Sequence, residues 1–326
     1  MNSAHDNRRP LGNSGLAISP VALGCWPIAG VTTLDANEAD SIATVQACFE
    51  LGINHLDTAH VYGPNGESEN LIRRALGRRR NEMVIATKCG IHYEGDEMVT
   101  GGRPERLRAE CEESLRRLGT DRVELLYLHS PDENVPIEDS AGGLRTLMEE
   151  GKTAAVGASN CTLEQLEAFA AVCPLTAVQL PYNMLQRDIQ QRTVPWCVER
   201  NIAVTVYWPL MKGLLAGRLT RDHELDQRDS RRNYPMYQGD EWQKNQDFVE
   251  RLREAAALSG HTVAQLVINW TISQPGITSA LCGAKRRWQI EELAGARDWM
   301  LSAEQRRIIN DAIAARGKAA AKRLFT

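Results

Sequence analysis

The sequence contains no apolar run of the roughly 20 residues that cross a bilayer, and its first ten residues, MNSAHDNRRP, include no apolar signal core. A membrane protein and a small secreted disulfide-rich domain are therefore not expected. Neither sign of charge dominates, because 38 Lys and Arg residues stand against 42 Asp and Glu residues, giving a formal net charge of -4. This balance offers no general electrostatic reason to bind nucleic acid or an anionic membrane. We expect a cytoplasmic protein.

Metal-binding spacings are also missing. No pair of cysteines has CxxC spacing, and the seven histidines form neither HxxxH nor HExxH, so no metal site is expected. Most of the eight cysteines lie inside apolar segments. We interpret them as reduced thiols that serve as small hydrophobic side chains.

Short apolar segments alternate with longer amphipathic ones through most of the 326 residues. The predicted strands are Val21–Cys25, Asn54–Ala59, Val84–Lys88, Val123–His129, Ala154–Ser159, Ala177–Tyr182, Ala203–Pro209 and Ser279–Gly283. The helices that follow them are predicted at Glu38–Leu51, Glu67–Leu76, Arg106–Leu118, Glu138–Glu150, Leu163–Val172, Ile189–Arg200, Val263–Ser273 and Gln289–Asp298. Continuous apolar runs such as VELLYL and AVTVYW are typical of strands buried on both faces.

Eight strand–helix pairs predict an α/β fold, a (β/α)8 TIM barrel that forms a single domain over residues 1–326. A doubly wound open sheet is the structural alternative. Three segments lie outside the repeat. Leu11–Ser19 is predicted as an N-terminal β-hairpin that closes the barrel floor, and Arg218–Asn245 as a long polar loop. Leu301–Ile313 is predicted as an extra C-terminal helix, followed by a solvated basic tail, Arg316–Arg323.

Ionisable side chains end three successive apolar strands. Asp57, Lys88 and His129 occupy these ends, and Tyr62 follows Asp57 by five residues. Any one of them alone is equally consistent with a core ion pair, but all four together indicate a shared site at the barrel mouth. A lysine beside a carboxylate stays charged, and we expect it to lower the pKa of the tyrosine, which then delivers a proton near neutral pH. A histidine is suited to hydrogen-bond the oxygen of a carbonyl substrate.

The segments GINHLDTAHVYG, VIATK, LLYLHSPD, VGASN, VQLPYN and VYWPLMKGLLAGR, in this order, closely resemble the aldo-keto reductase superfamily. The resemblance runs from about Leu11 to Ala296. It implies a catalytic tetrad of Asp57, Tyr62, Lys88 and His129, with Tyr62 as the acid. It also implies a nicotinamide dinucleotide bound across the barrel mouth without a Rossmann domain. No GxGxxG follows a predicted strand in this chain, in agreement with that expectation.

The same resemblance implies the roles of several cofactor-binding residues. The carboxamide of the nicotinamide is expected to meet a polar trio, and Tyr207 to stack under the ring. Lys285 and Arg286, with Arg287, stand at a predicted helix N-terminus that suits a 2′-phosphate, so NADPH is expected in preference to NADH. The full predicted set is Ser159, Asn160, Gln179, Tyr207, Leu210, Gly213, Leu214, Gly283, Lys285, Arg286 and Gln289. Two departures are Leu293, where an asparagine is common, and Trp208, where the family usually has a small residue.

The predicted function is the reversible, NADPH-dependent reduction of an aldehyde or ketone to an alcohol. The predicted walls of the substrate pocket are Trp26, Ile91, His92, Tyr93 and the C-terminal Leu324–Phe325. The sequence leaves the substrate and the oligomeric state open. One alternative is an interaction protein of the potassium-channel β-subunit type, which uses the same fold. Another is a metal-dependent barrel hydrolase, which the missing ligand spacings disfavour.

Overall fold

The computed structural model describes residues 7–31 and 34–319. Its strands are β1 (Arg9–Pro10), β2 (Ala17–Ile18), β3 (Val21–Gly24), β4 (His55–Asp57), β5 (Val84–Cys89), β6 (Ile91–Glu94), β7 (Glu97–Thr100), β8 (Leu125–Leu128), β9 (Val156–Ser159), β10 (Ala177–Pro181), β11 (Ala203–Tyr207) and β12 (Ser279–Gly283). Its α-helices are α1 (Glu38–Glu50), α2 (Glu67–Leu76), α3 (Pro104–Leu118), α4 (Ile137–Glu149), α5 (Leu163–Val172), α6 (Thr193–Glu199), α7 (Gly239–Ala257), α8 (Val263–Ile272), α9 (Arg287–Ala294) and α10 (Ala303–Arg316).

Eight parallel strands form a closed barrel in chain order: β3, β4, β5, β8, β9, β10, β11 and β12. The last strand pairs with the first, with Gly283 opposite Gly24, so the sheet has no open edge. The TIM barrel is therefore confirmed, and the open-sheet alternative is wrong. The extra C-terminal helix is confirmed as α10.

The barrel interior is filled by side chains rather than hollow. Leu125 and Tyr127 of β8 pack there with Val84 and Ala86 of β5. The ring of Tyr127 lies against Gly157, where an added Cβ would come 2.3 Å from a ring carbon. Because side chains alternate along a strand, the next inward residue of β5 after Ala86 is Lys88, one layer nearer the mouth.

The N-terminal hairpin is confirmed. Strands β1 and β2 pair antiparallel, with Arg9 opposite Ile18. Leu11 and Ile18 are fully buried and belong to the same cluster as the lower barrel side chains. The hairpin therefore closes the end of the barrel from which the strands start, opposite to the mouth.

Four segments differ from the predictions. The segment predicted as a loop over 218–245 becomes helical at Gly239, where α7 begins, and α7 packs against α10. Arg316, predicted to lie in a solvated tail, is only 5% exposed and donates to Glu241 at 2.6 Å. A second hairpin, β6–β7, follows β5 and was not predicted. Helix α6 begins at Thr193 rather than Ile189, which places Pro195 in its first turn, where a missing N–H costs nothing.

All eight cysteines lie in the part of the chain that the structure describes, and each is buried and free of disulfide bonding. Within residues 7–31 and 34–319, no helix is long and apolar enough to span a bilayer. The same residues include no group of three or more His, Cys, Asp or Glu side chains placed to hold a metal ion.

Candidate active site

The four ionisable residues predicted to share a site lie together at the barrel mouth. The Nζ atom of Lys88 lies 2.5 Å from Oδ1 of Asp57 and 3.2 Å from the hydroxyl oxygen of Tyr62. It also donates to the carbonyl oxygen of Thr58 at 2.7 Å. The rings of Tyr62 and His129 meet edge to face, with centroids 5.8 Å apart. The closed barrel places them together because β4, β5 and β8 are neighbouring parallel strands.

Lys88 is charged although its side chain is completely buried. Burial by itself would lower the pKa of Lys88, but the negative charge of Asp57 and the hydroxyl of Tyr62 outweigh it. The net result is a pKa above the ordinary lysine value. The site therefore holds a fixed ammonium ion beside the phenol.

The pKa of Tyr62 shifts in the direction opposite to the prediction. Burial raises it, and this effect exceeds the lowering by Lys88; Asp57 and Cys25 raise it further. The expectation of a lowered pKa is therefore wrong for the protein without ligands, because the sequence did not reveal how completely the phenol is desolvated. At neutral pH Tyr62 carries its proton and can donate it.

His129 is neutral. Burial lowers its pKa well below the ordinary value, and the charge of Lys88 and the nearby His60 lower it further. A neutral imidazole has one N–H donor and one acceptor nitrogen. It can therefore orient a substrate oxygen by hydrogen bonding without adding charge.

The predicted carboxamide-binding residues form one hydrogen-bonded cluster next to the tetrad. Asn160, in the left-handed region at φ 59, donates to the carbonyl oxygen of His129 at 2.9 Å and to Oγ of Ser159 at 3.2 Å. Its own Oδ1 accepts from the hydroxyl of Tyr207 at 2.8 Å. Gln179 donates from Nε2 to Oδ2 of Asp57 at 2.7 Å. These bonds fix the ring and the amides in place.

The turn after β11 has an unusual backbone. Trp208, Met211 and Lys212 all have positive φ angles, of 58, 48 and 57°, and Gly213 follows at 94°. Non-glycine residues rarely adopt such angles, and they persist only where the surroundings hold them. Here the hydroxyl of Tyr237 donates to the carbonyl oxygen of Lys212 at 3.0 Å. The predicted Leu210, Gly213 and Leu214 belong to this turn.

Two cations beside this turn were missed by the sequence analysis. The Nζ atom of Lys212 lies over the rings of Trp208 and Tyr234, 5.0 and 4.7 Å from their centroids. The pKa of Lys212 is lowered to about 8, mainly by burial and also by the charge of Arg231, while Asp229 opposes the shift. An added Cβ at Gly213 would come 3.5 Å from a guanidinium nitrogen of Arg231. The lysine of the LMKGLL segment was the available signal.

The basic residues after β12 are not equivalent. Lys285 donates from Nζ to the carbonyl oxygen of Leu34, and Nε of Arg286 lies 3.8 Å from Oδ2 of Asp40. Arg287 instead pairs with Glu50 and Glu291, so it is engaged on the outer surface.

Gln289 caps the start of α9. Its Oε1 accepts from the backbone N–H groups of Lys285 at 2.9 Å and Arg286 at 3.1 Å. This role was not predicted, because it depends on the turn geometry before the helix. Leu293, the departure noted above, is buried in the core.

The predicted pocket walls divide into two groups. Trp26 meets Tyr62 edge to face at 5.0 Å, and Tyr93 packs with Tyr62 on the small cluster that contains Ile91. His92 points elsewhere, because it alternates with Tyr93 along β6, and its Nδ1 lies 3.1 Å from Oε1 of Glu110 in α3. Leu324 and Phe325 lie outside the described residues.

The residues at the mouth fit a nicotinamide dinucleotide. Hydroxyl and amide groups surround Tyr207, which suits a carboxamide and its ring. Lys212 and Arg231 flank a turn in which Gly213 leaves room for a close approach, which suits a pyrophosphate. The start of α9 adds Lys285 and Arg286.

Comparisons with known proteins agree with this geometry. A sequence model of the Aldo/keto reductase family matches residues 20–314. The chain is 33% identical over 303 residues to "Aldo-keto reductase YhdN" of Bacillus subtilis (strain 168), covering 92% of this chain and 91% of the relative. It is 33% identical over 305 residues to "Probable aldo-keto reductase 1" of Glycine max, covering 93% and 88%.

Solved structures show the same relationship. The glycerol dehydrogenase AKR11B4 from Gluconobacter oxydans matches with a TM-score of 0.89 and 31% identity over 99% of both chains. The holo form of the aldo-keto reductase AKR11C1 from Bacillus halodurans matches with a TM-score of 0.78 and 25% identity, over 97% of this chain and 98% of that one. These names do not favour the channel-subunit alternative. The chain belongs to the aldo-keto reductase family and is an NAD(P)H-dependent oxidoreductase that acts on small carbonyl compounds.

Proposed function

We propose that this protein reduces an aldehyde or ketone to the corresponding alcohol with NADPH, and that Tyr62 is the general acid. The observation that carries the proposal is the 3.2 Å contact between the hydroxyl of Tyr62 and the buried ammonium of Lys88. A protonated phenol beside a fixed cation can release its proton while the resulting phenolate is stabilised.

A dihydronicotinamide held at the mouth would supply the hydride for the carbonyl carbon. The N–H of neutral His129 positions the carbonyl oxygen. As charge develops on that oxygen, the O–H bond of Tyr62 breaks and the new O–H bond of the alcohol forms. Lys88 stabilises the phenolate that remains, and Asp57 holds Lys88 in its charged state. In the reverse direction the Tyr62 phenolate would accept the hydroxyl proton of an alcohol, and an oxidised nicotinamide held at the mouth would accept the hydride from its carbon, so we propose that the reaction is reversible.

The preference for NADPH rests on the cations at the start of α9. Arg286 is partly exposed at the N-terminus of this helix, and Lys285 precedes it. Their charges and the helix dipole favour an anionic 2′-phosphate over the ribose hydroxyl of NADH. Arg287 is left out of this proposal, because it pairs with Glu50 and Glu291.

The walls of the substrate pocket in this proposal are Trp26, which meets Tyr62 edge to face, and Tyr93, which packs on the same small apolar cluster as Tyr62. One matched structure is named a glycerol dehydrogenase, so glycerol is a suitable alcohol for the reverse reaction. We further propose that the whole chain is one domain and that it acts in the cytoplasm on small molecules.

The test is a panel of aldehydes and ketones, assayed by loss of dihydronicotinamide absorbance with NADPH and with NADH, and repeated on Tyr62→Phe. Loss of the acid is expected to lower kcat by about 10²–10⁴-fold while the Kd of NADPH stays within about twofold. Near-full activity of Tyr62→Phe would refute the acid assignment. A higher kcat/KM with NADH than with NADPH would refute the cofactor preference.

A further inference from the structure

A buried network of charged and polar groups lies behind the loop that carries Tyr62. It joins this loop to α2, α3 and β5, outside the barrel interior. Its central residues are Glu69 of α2 and Arg117 of α3, whose side chains are 0% and 13% exposed. The tetrad chemistry does not use either of them.

Arg117 binds the Tyr62 loop directly. Its guanidinium donates from Nη1 to the carbonyl oxygen of His60 at 2.9 Å, two residues before Tyr62. The same nitrogen lies 3.4 Å from Oε2 of Glu69, and Nη2 donates to Oε1 of Glu113 at 2.8 Å. A planar fork of donors can hold several acceptors at fixed angles, which a lysine ammonium does only in part.

Glu69 connects the same arginine to the strand of Lys88. Its Oε1 accepts from the hydroxyl of Thr87 at 2.7 Å, and Thr87 is the residue before Lys88. Because side chains alternate along β5, Thr87 faces outward when Lys88 faces the site. The carboxylate of Glu69 therefore links the side chain of Thr87, next to Lys88, to the guanidinium of Arg117.

The end of the loop is fitted to Arg117 as well. Gly66, at φ 71, lies so close that an added Cβ would come 2.4 Å from Cδ and Nε of the arginine. The first turn of α2 also binds the loop, since the N–H of Ser68 donates to the carbonyl oxygen of Tyr62 at 3.1 Å. The loop is thus held on both sides of the tyrosine.

We propose that Arg117 and Glu69 are positioning residues that set the distance between the phenol of Tyr62 and the ammonium of Lys88. They touch neither atom directly. Arg117 holds the backbone carbonyl of His60, and Glu69 holds the side chain of Thr87, the residue before Lys88. The two catalytic side chains then meet at 3.2 Å. A displacement of about 1 Å at a reacting group can lower the rate by about 10²-fold, so a small shift of this network is enough to change kcat strongly.

This inference rests on the proposed role of Tyr62, and its test separates the two. The variants are Arg117→Met, Arg117→Lys and Glu69→Gln, each made in the wild-type chain and, for Arg117→Met, also in Tyr62→Phe. Arg108→Met is the matched control, since Arg108 is on the same helix and also pairs with glutamates but is 39% exposed. We measure kcat, KM for the carbonyl, the Kd of NADPH by fluorescence, and thermal unfolding.

Arg117→Met is expected to lower kcat about 10- to 100-fold with the Kd of NADPH within about twofold. Arg117→Lys is expected to recover part of this loss, because an ammonium still reaches one or two of the acceptors. In the Tyr62→Phe background Arg117→Met is expected to change the residual rate less than twofold, since the distance it controls no longer matters. Arg108→Met is expected to keep the wild-type kcat.

Equal losses of kcat from Arg117→Met in the wild-type and Tyr62→Phe backgrounds would show a general structural role and overturn the proposal. A wild-type kcat in Arg117→Met would also overturn it, and so would a wild-type kcat in a folded Glu69→Gln. If Arg117→Met does not fold, Arg117→Lys and Glu69→Gln are combined with Tyr62→Phe and the same criterion applies. Near-full activity of Tyr62→Phe would instead refute the proposed role of Tyr62 itself.

Discussion

Gln179 donates a hydrogen bond from Nε2 to Oδ2 of Asp57, at 2.7 Å. The other oxygen of the same carboxylate accepts from Lys88. The residue proposed to meet the nicotinamide carboxamide therefore also completes the hydrogen bonding of the buried acid that keeps the lysine charged. The proposed cofactor site and the proposed proton-donating site therefore share one carboxylate.

Gln179→Leu is expected to weaken NADPH binding and to lower kcat. It removes the amide proposed for the carboxamide and leaves Oδ2 of Asp57 without its donor in a buried site. A hydrogen bond to a charged group contributes about 1.5–3 kcal/mol, so the Kd of NADPH should rise, and kcat fall, by about tenfold or more each. Gln274→Leu is the control, because its amide donates only to the carbonyl oxygen of Trp270. A change in one quantity alone would contradict the shared role.

We predict that Lys212 makes the affinity for NADPH depend on pH. Burial lowers its pKa to about 8, so the ammonium is present below that pH and is lost above it. A bound phosphate favours the charged form, and the Kd of NADPH should rise as the pH increases through 8, by at most about tenfold per pH unit. Lys212→Met should bind more weakly at pH 7 with a flatter profile, and Lys212→Arg should bind tightly up to pH 9. Titrations by fluorescence quenching measure these values; an unchanged profile in Lys212→Met would assign the effect elsewhere.

Asp40 is expected to reduce the discrimination between NADPH and NADH. Its Oδ2 lies 3.8 Å from Nε of Arg286, where it competes with a 2′-phosphate for the guanidinium. Asp40→Asn should therefore lower the Kd of NADPH about three- to tenfold and leave that of NADH unchanged, whereas Arg286→Ala should raise only the former. Asp311→Asn, on α10, serves as the control. Equal changes for both dinucleotides would place Asp40 outside the 2′-phosphate site.

Alanine substitutions at two glycines are expected to change the free energy of unfolding in opposite directions. An added methyl at Gly157 would overlap the ring of Tyr127 inside the barrel, so Gly157→Ala should lower the free energy of unfolding by about 1–3 kcal/mol or more. Gly142 lies within helix α4, with nothing near the position of an added Cβ, so Gly142→Ala should raise it by about 0.5–1 kcal/mol. Urea denaturation of both variants measures the difference. Similar changes in both would mean that Tyr127 can shift without cost.

The sequence predicted most of the barrel because its strands are buried on both faces and appear as uninterrupted apolar runs, as in AVTVYW. Helix α7 was missed because its first turns are polar. Yet Trp242, Phe248, Val249 and Leu252 are buried at helical spacing and were a usable signal. The β6–β7 hairpin gave a weaker signal, since only Ile91 and His92 of its eight strand residues are buried.

At the site, the strand ends and then the resemblance supplied the candidate residues, but not the contacts that hold them. The guanidinium of Arg117 meets the carbonyl oxygen of His60 across 57 positions of sequence, and only the packing of α3 against the loop creates that contact. The direction of the Tyr62 pKa shift depends on two opposing effects, burial and the charge of Lys88. The relative size of these two effects depends on how deeply the fold buries the phenol, which the sequence alone does not show.

The eight buried thiols give this barrel a built-in probe of local opening. They lie on strands, on outer helices and in the connections between them, and burial raises the pKa of several, that of Cys48 to about 12. An alkylating reagent requires an exposed thiolate, so each cysteine reacts only during excursions that uncover it. Rates of alkylation measured by mass spectrometry would therefore show which strands and helices of the barrel open first, without any engineered cysteine.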